Sequence, residues 1–132
     1  MQGKTIAILE SRLGAQLAEL VGKRGGRAFH APALAEVPEV DSAALAALVG
    51  DLEARPARLA VFQTGVGTNA LFKATDALGL TNKLLALLAE MKVAVRGPKP
   101  TAALRARGVR IDLSAHDPFT TAEVLESLRS LE

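Results

Sequence analysis

Five short apolar runs alternate with stretches of helical periodicity, and this alternation is what most narrows the folds open to the chain. The first run, Thr5–Leu9 (TIAIL), is apolar throughout, the mark of a strand buried on both faces. Its successors are Arg27–Ala31, Leu59–Phe62, Lys92–Arg96 and Val109–Leu113. Helical patterns fall between them, over Leu13–Lys23, Ala43–Ala54, Thr68–Leu78, Lys83–Met91 and Ala102–Arg107. A last one runs from the Thr120-Thr121 cap to Leu131, with Glu123 in its first turn. Strands that alternate with helices are joined by right-handed crossovers into a parallel sheet. The expectation is an α/β, flavodoxin-like three-layer sandwich in a single domain over residues 1–132. Its five-stranded parallel sheet would have the order 2-1-3-4-5.

Local signals support the boundaries. Gly25-Gly26, Gly79 and Gly108 follow helical stretches, where glycine ends a helix without a steric penalty. Asp41-Ser42 and Thr81-Asn82 stand where helix caps belong. Leu13, Leu17, Leu20 and Val21 share one face of the first helix, and Leu45, Leu48, Val49 and Leu52 one side of the second. Val109–Leu113 alternates with Arg110 and Asp112, which suits a sheet edge.

In a sheet of that order, ligands sit at the carboxyl ends of the strands, near the switch between the first and third. Three loops are then expected at one edge: Glu10–Arg12, Thr64–Thr68 and Gly97–Thr101, with Ser114–Asp117 beyond them. The most telling is the stretch Arg58–Ala70 (RLAVFQTGVGTNA), where an apolar strand breaks on small residues and feeds a helix. Backbone N–H groups at such a helix start point outward and bind carboxylates or phosphates.

Several chemistries are narrowed by what this edge lacks. Gly65-x-Gly67-x-x-Ala70 formally matches the dinucleotide fingerprint. However, two helices follow before the next strand, and that strand ends in Arg96 rather than an acid. Receiver-like signalling needs a carboxylate after the third strand, where Gln63-Thr64 stands, and a lysine after the fifth, where Ser114-Ala115-His116 stands. Ser11-Arg12-Leu13-Gly14 is a faint echo of a flavin loop, but with no Tyr or Trp in the chain only Phe119 offers a ring there. Without cysteine there is no thiol chemistry, and with only His30 and His116 no multi-histidine metal site. Neither histidine has a nucleophile placed for it to activate. With 16 basic against 14 acidic residues, the charge gives no reason to expect nucleic acid or a membrane as partner. No run is apolar and long enough for a membrane span, and the opening MQGKTIAILE does not read as a signal peptide, so a cytoplasmic protein is expected. Arg12, Arg96 and Lys99 form either a solvated rim or a shallow anion-binding one.

Taken in order, the motifs have a family resemblance. A strand ending in Thr64-Gly65-Val66-Gly67 is followed by a helix carrying Leu71-Phe72, a second helix and the strand KVAVRG. Next come Gly97-Pro98-Lys99-Pro100-Thr101-Ala102-Ala103-Leu104 and the closing Asp117-Pro118-Phe119-Thr120-Thr121-Ala122-Glu123. The whole resembles uroporphyrinogen-III synthase. That family has two similar α/β domains, and linear hydroxymethylbilane binds in the cleft between them. It is a lyase of tetrapyrrole (heme, porphyrin) biosynthesis that closes this substrate to uroporphyrinogen III without cofactor or metal. The resemblance implies substrate-binding roles for Thr64, Gly65, Val66, Gly67, Gly97, Lys99 and Thr101, with Ser11 and Arg12 on the neighbouring loop. No catalytic residue is assigned.

The chain is half the length of such an enzyme, and the family's functionally important tyrosine has no counterpart in it. Little or no activity is therefore expected from it alone. Its first unit, Thr5–Ala31, would either pair with its own remaining strands or be exchanged with a second copy in a homodimer, with Pro32–Pro38 as the hinge. Two further readings stay open: a small anion- or nucleotide-binding module, and a structural domain without activity.

Overall fold

The computed structural model describes residues 1–34 and 40–131. The chain divides into two compact units, Met1–Glu39 and Val40–Glu132. The hinge expected at Pro32–Pro38 falls from residue 35 onward outside the described residues.

In the first unit, β1 (Thr5–Ile8), α1 (Gly14–Lys23) and β2 (Arg27–His30) form a parallel pair closed by its crossover helix. Thr5 is in register with Arg27 and Ile8 with His30. Ile8 and Val21 are buried, whereas Leu13, Leu17 and Leu20 of the expected apolar face are exposed. The turn after β1 is held by its own polar atoms. The Arg12 N–H donates to Glu10 Oε1 (2.8 Å), and the His30 ring pairs through Nε2 with the Glu10 carbonyl (3.0 Å). The same ring lies over Gly14, where a methyl group would come within 2.0 Å of Nε2.

The second unit contains α2 (Ser42–Ala54), β3 (Leu59–Phe62), α3 (Gly65–Ala77), α4 (Thr81–Glu90), β4 (Lys92–Val95), α5 (Pro98–Arg105), β5 (Leu113–Ser114) and α6 (Thr121–Leu128). A short 3-10 turn, Arg129–Leu131, follows. The three strands form a parallel sheet in the order β3-β4-β5. Central β4 is the most buried, with Val93, Ala94 and Val95 all at 2% exposure or less. Phe72, Leu84, Leu88, Met91, Leu104 and Val109 pack with Val93 and Val95 into the core. Leu45 and Val49 of α2 are buried, but Leu48 is half exposed.

The expected single five-stranded sheet is corrected to two sheets, of two and three strands. The adjacencies 2-1, 3-4 and 4-5 are present; the 1-3 ladder is not. The pairs that form are neighbours in sequence, so the closure entropy of each is small. The missing ladder would have had to join strands of two different units.

Boundaries also move. β5 is two residues rather than five, because a side chain takes part of its place. Asp112 N–H donates to the Val93 carbonyl (2.9 Å), while Asp112 Oδ2 accepts the Val93 N–H (2.8 Å). A carboxylate thus completes the first rung beside one backbone bond, and the paired register begins at Leu113. Thr81 opens α4 as its first residue and is not its cap. Its hydroxyl instead donates to Asp76 Oδ1 at 2.6 Å. The third shift, at the start of α3 and α5, shapes the candidate site.

Candidate functional site

Each strand of the second unit's sheet delivers the chain to a helix start at the same carboxyl edge: β3 to α3, β4 to α5 and β5 to α6. The glycine-rich stretch after β3 was expected to be a turn before a helix opening at Thr68. The helix opens instead at Gly65, with Thr64 as its cap. Thr64 Oγ accepts the Gly67 N–H (3.0 Å), and the Thr64 carbonyl accepts both the N–H (3.0 Å) and the hydroxyl (2.7 Å) of buried Thr68. The N–H groups of the cap and of the first three helical residues have no acceptor one turn back, and Thr68 is the first to find one. With the Gly67 N–H taken by the Thr64 hydroxyl, those of Gly65 and Val66 are left pointing out of the helix.

Likewise α5 opens at Pro98, inside the expected Gly97–Thr101 turn, with proline at the first helical position that favours it. Pro98 and Pro100 carry no N–H. The Thr101 N–H (3.2 Å) and hydroxyl (2.8 Å) both go to the Gly97 carbonyl. Lys99 is left as the one outward backbone donor in this first turn. The two helix starts touch. A methyl group placed on Gly65 would lie 2.9 Å from the Lys99 carbonyl oxygen. At the other end of the same pair, Arg107 holds Asp76 with two bonds of 2.8 and 3.2 Å. The α3–α5 pair is therefore fixed at both ends.

The third helix start has the opposite character. Thr120 and Glu123 form a capping box, in which Glu123 accepts from both the N–H and the hydroxyl of Thr120. Those bonds hold the Glu123 carboxyl below its usual range, the hydroxyl bond contributing most. Its negative charge answers the positive end of α6. The first turns of α3 and α5 contain no acid. The edge is thus open to an anion at α3 and α5 and closed to one at α6. Lys99 is exposed and Arg96 half-buried; neither makes an ion pair among the described residues.

The structure thus gathers Thr64, Gly65, Val66, Gly67, Gly97, Lys99 and Thr101 along one edge of one sheet. It also separates their tasks. The hydroxyls of Thr64 and Thr101 cap or brace their own helices, Gly65 permits the close approach, and Val66 and Lys99 carry the outward N–H groups. Ser11 and Arg12 follow β1 and belong to the first unit, whose sheet is a separate one. The expectation that their loop lies on the same sheet edge is corrected on that ground.

His116, in the loop after β5, pairs through Nδ1 with the Asp117 carbonyl (2.9 Å) and through Nε2 with Glu126 (3.2 Å). The Asp117 carbonyl first, then Glu126, raises its pKa. Both ring nitrogens are occupied by a local brace of the loop. Sequence reasoning missed the position of Phe119, whose ring atoms come within 3.3 Å of the point where a Gly97 methyl would be. Nothing local marks that contact, because Gly97 lies on another loop.

Among the described residues, cavities of about 310 and 440 Å³ open at the opposite end of the sheet around Arg110, and their linings include none of these residues. Among the described residues, no group of three or more metal-ligating side chains converges, and no helix is long and apolar enough to cross a membrane.

The family model for uroporphyrinogen-III synthase HemD matches residues 15–132. No curated protein matches the chain. Among solved structures, it is similar to a mutant uroporphyrinogen III synthase from the extremely thermophilic bacterium Thermus thermophilus. The identity is 28% and the TM-score 0.68, covering 98% of this chain and 47% of that one. A wild-type crystal form of the enzyme from the same bacterium matches at 25% identity and TM-score 0.57, covering 98% and 47%. A further structure of the Thermus thermophilus enzyme matches at 26% and 0.51, covering 98% and 48%. The chain spans about half the length of the solved structures it matches.

Proposed function

Because this chain belongs to the uroporphyrinogen-III synthase family, we propose that its α3–α5 edge is one wall of a binding site for a linear tetrapyrrole precursor of the hydroxymethylbilane type. The observation that carries this reading is the meeting of two acid-free helix starts at Gly65 and Lys99. The substrate of this reading bears many carboxylates. The N–H groups of Gly65, Val66 and Lys99, the positive ends of two helices and the Lys99 ammonium supply complementary charge. Each such contact at an exposed helix end is worth only about 0.3–1 kcal/mol, so one wall gives weak, salt-sensitive binding.

The same reading assigns this stretch of chain little or no synthase activity by itself. Its support is a length about half that of the matched enzymes. The described residues lend no support to an exchange of Thr5–Ala31 between two copies.

The test is a discontinuous assay of the purified chain with hydroxymethylbilane, separating type III from type I product, alongside fluorescence titration with uroporphyrin. Only the spontaneous type I product, with uroporphyrin binding that weakens as salt rises, is the expected result. Robust type III formation would overturn the inactivity, and absence of any uroporphyrin binding would overturn the wall itself.

A further inference from the structure

Phe119 sits at the end of the same edge in a conformation its residue type disfavours. Its φ is 60°, the left-handed region where a side chain other than that of Gly, Asn or Asp is uncommon. Three ring-side atoms, Cβ, Cγ and Cδ1, come within 3.3 Å of the position a Gly97 methyl would take, so the side chain lies directly on the backbone before α5. Yet the residue is 37% exposed, and burial does not account for its holding this position. The other rings of the second unit behave as core. Phe72 is buried, and partly buried Phe62 packs against the core cluster. Gly65 meets Lys99 and Gly97 meets Phe119, so the partly exposed Phe119 stands against the backbone that opens α5, two residues before Lys99.

We propose that Phe119 is a specificity-determining residue that stacks on a pyrrole ring of the ligand whose carboxylates are held at the α3 and α5 helix starts. This rests on the reading of that edge as a tetrapyrrole-precursor wall. The helix starts recognise negative charge of any origin. An aromatic surface beside them selects polycarboxylates that also carry flat π-systems, since offset-stacked rings attract each other beyond their shared burial.

The test compares uroporphyrin with butane-1,2,3,4-tetracarboxylate, an aliphatic polyanion, as ligands of the whole chain and its Phe119 variants. Phe119→Gly removes the ring and relieves the positive φ, so it folds at least as well as the parent, which thermal unfolding verifies. Expected is a loss of uroporphyrin affinity on the order of tenfold with tetracarboxylate affinity unchanged, and recovery in Phe119→Tyr. Unchanged uroporphyrin binding in Phe119→Gly would overturn the proposal and leave the wall standing. An equal loss for both ligands would overturn it in favour of a purely structural role. A parent chain that binds tetracarboxylate but not uroporphyrin would overturn the wall reading and the role of Phe119 together.

Discussion

Gly65 and Lys99 are in backbone contact: a Cβ on Gly65 would lie 2.9 Å from the Lys99 carbonyl oxygen and 3.0 Å from its carbonyl carbon. Backbone cannot rotate away as a side-chain tip can. Gly65→Ala is therefore expected to destabilise the second unit by about 1–3 kcal/mol, the usual consequence of overpacking. Gly50→Ala is the control. Gly50 is an exposed residue of α2 with nothing within 4 Å of an added methyl, so there the better helix former stabilises by roughly 0.5–1 kcal/mol. Opposite signs in urea unfolding would bear out the contact; a stabilised Gly65→Ala would refute it.

The cap of α3 joins Thr64 and Gly67. Thr64→Ala removes the acceptor of the Gly67 N–H and is expected to cost about 1 kcal/mol. Gly67→Ala brings a methyl within 2.9 Å of the same hydroxyl oxygen and displaces it. The two changes damage one bond, so the double variant should be less destabilised than the sum of the singles. Strict additivity in a double-mutant cycle would count against a shared cap.

Asp112 acts as part of the sheet. Its Oδ2 accepts the Val93 N–H, and its Oδ1 holds Arg110 at 2.9 Å and lies 3.7 Å from Lys92. Asp112→Ala is expected to destabilise by about 1–3 kcal/mol, because a buried ladder N–H loses its acceptor. The Val93 N–H above all, then Arg110, lowers the carboxyl below its ordinary value of 3.8. A depressed folded pKa contributes stability that is present above 3.8 and lost as pH falls through the folded value. Denaturation midpoints measured below pH 4 should fall less steeply in Asp112→Asn than in the parent chain.

His116 gives the opposite slope. Its pKa is raised above 6.5, by the Asp117 carbonyl first and Glu126 next. In the folded state it binds its proton to higher pH than in the unfolded state. Its contribution is full below 6.5 and disappears as pH rises through the folded value. Removing Glu126 as Glu126→Gln should shrink this alkaline loss, and NMR titration of His116 should show the lower pKa directly. An unshifted His116 resonance in the parent would refute the brace.

Most of the secondary structure was legible residue by residue. Asp41 caps α2 by accepting from Ala43 and Ala44, Thr120 and Glu123 form their box, and Gly79 and Gly108 end their helices at positive φ. Each of these signals acts within about a turn of chain, so local chemistry determines it. The three strand adjacencies that formed were legible for a related reason, since each joins strands consecutive in the chain.

What only the tertiary structure decided lies across gaps that no local pattern spans. α3 opens at Gly65 and α5 at Pro98 where loops were expected, and the two starts meet because Gly65 lacks the methyl that Lys99 would strike. Asp112 shortens β5 by offering Val93 a carboxylate, and Phe119 lies on Gly97 from a different loop. The sequence alone determined which segments become strands and helices and that backbone donors gather after β3. Which donors remain outward and which strands share a sheet depended on the packing of segments distant in the chain, where contact energies outweigh local preference.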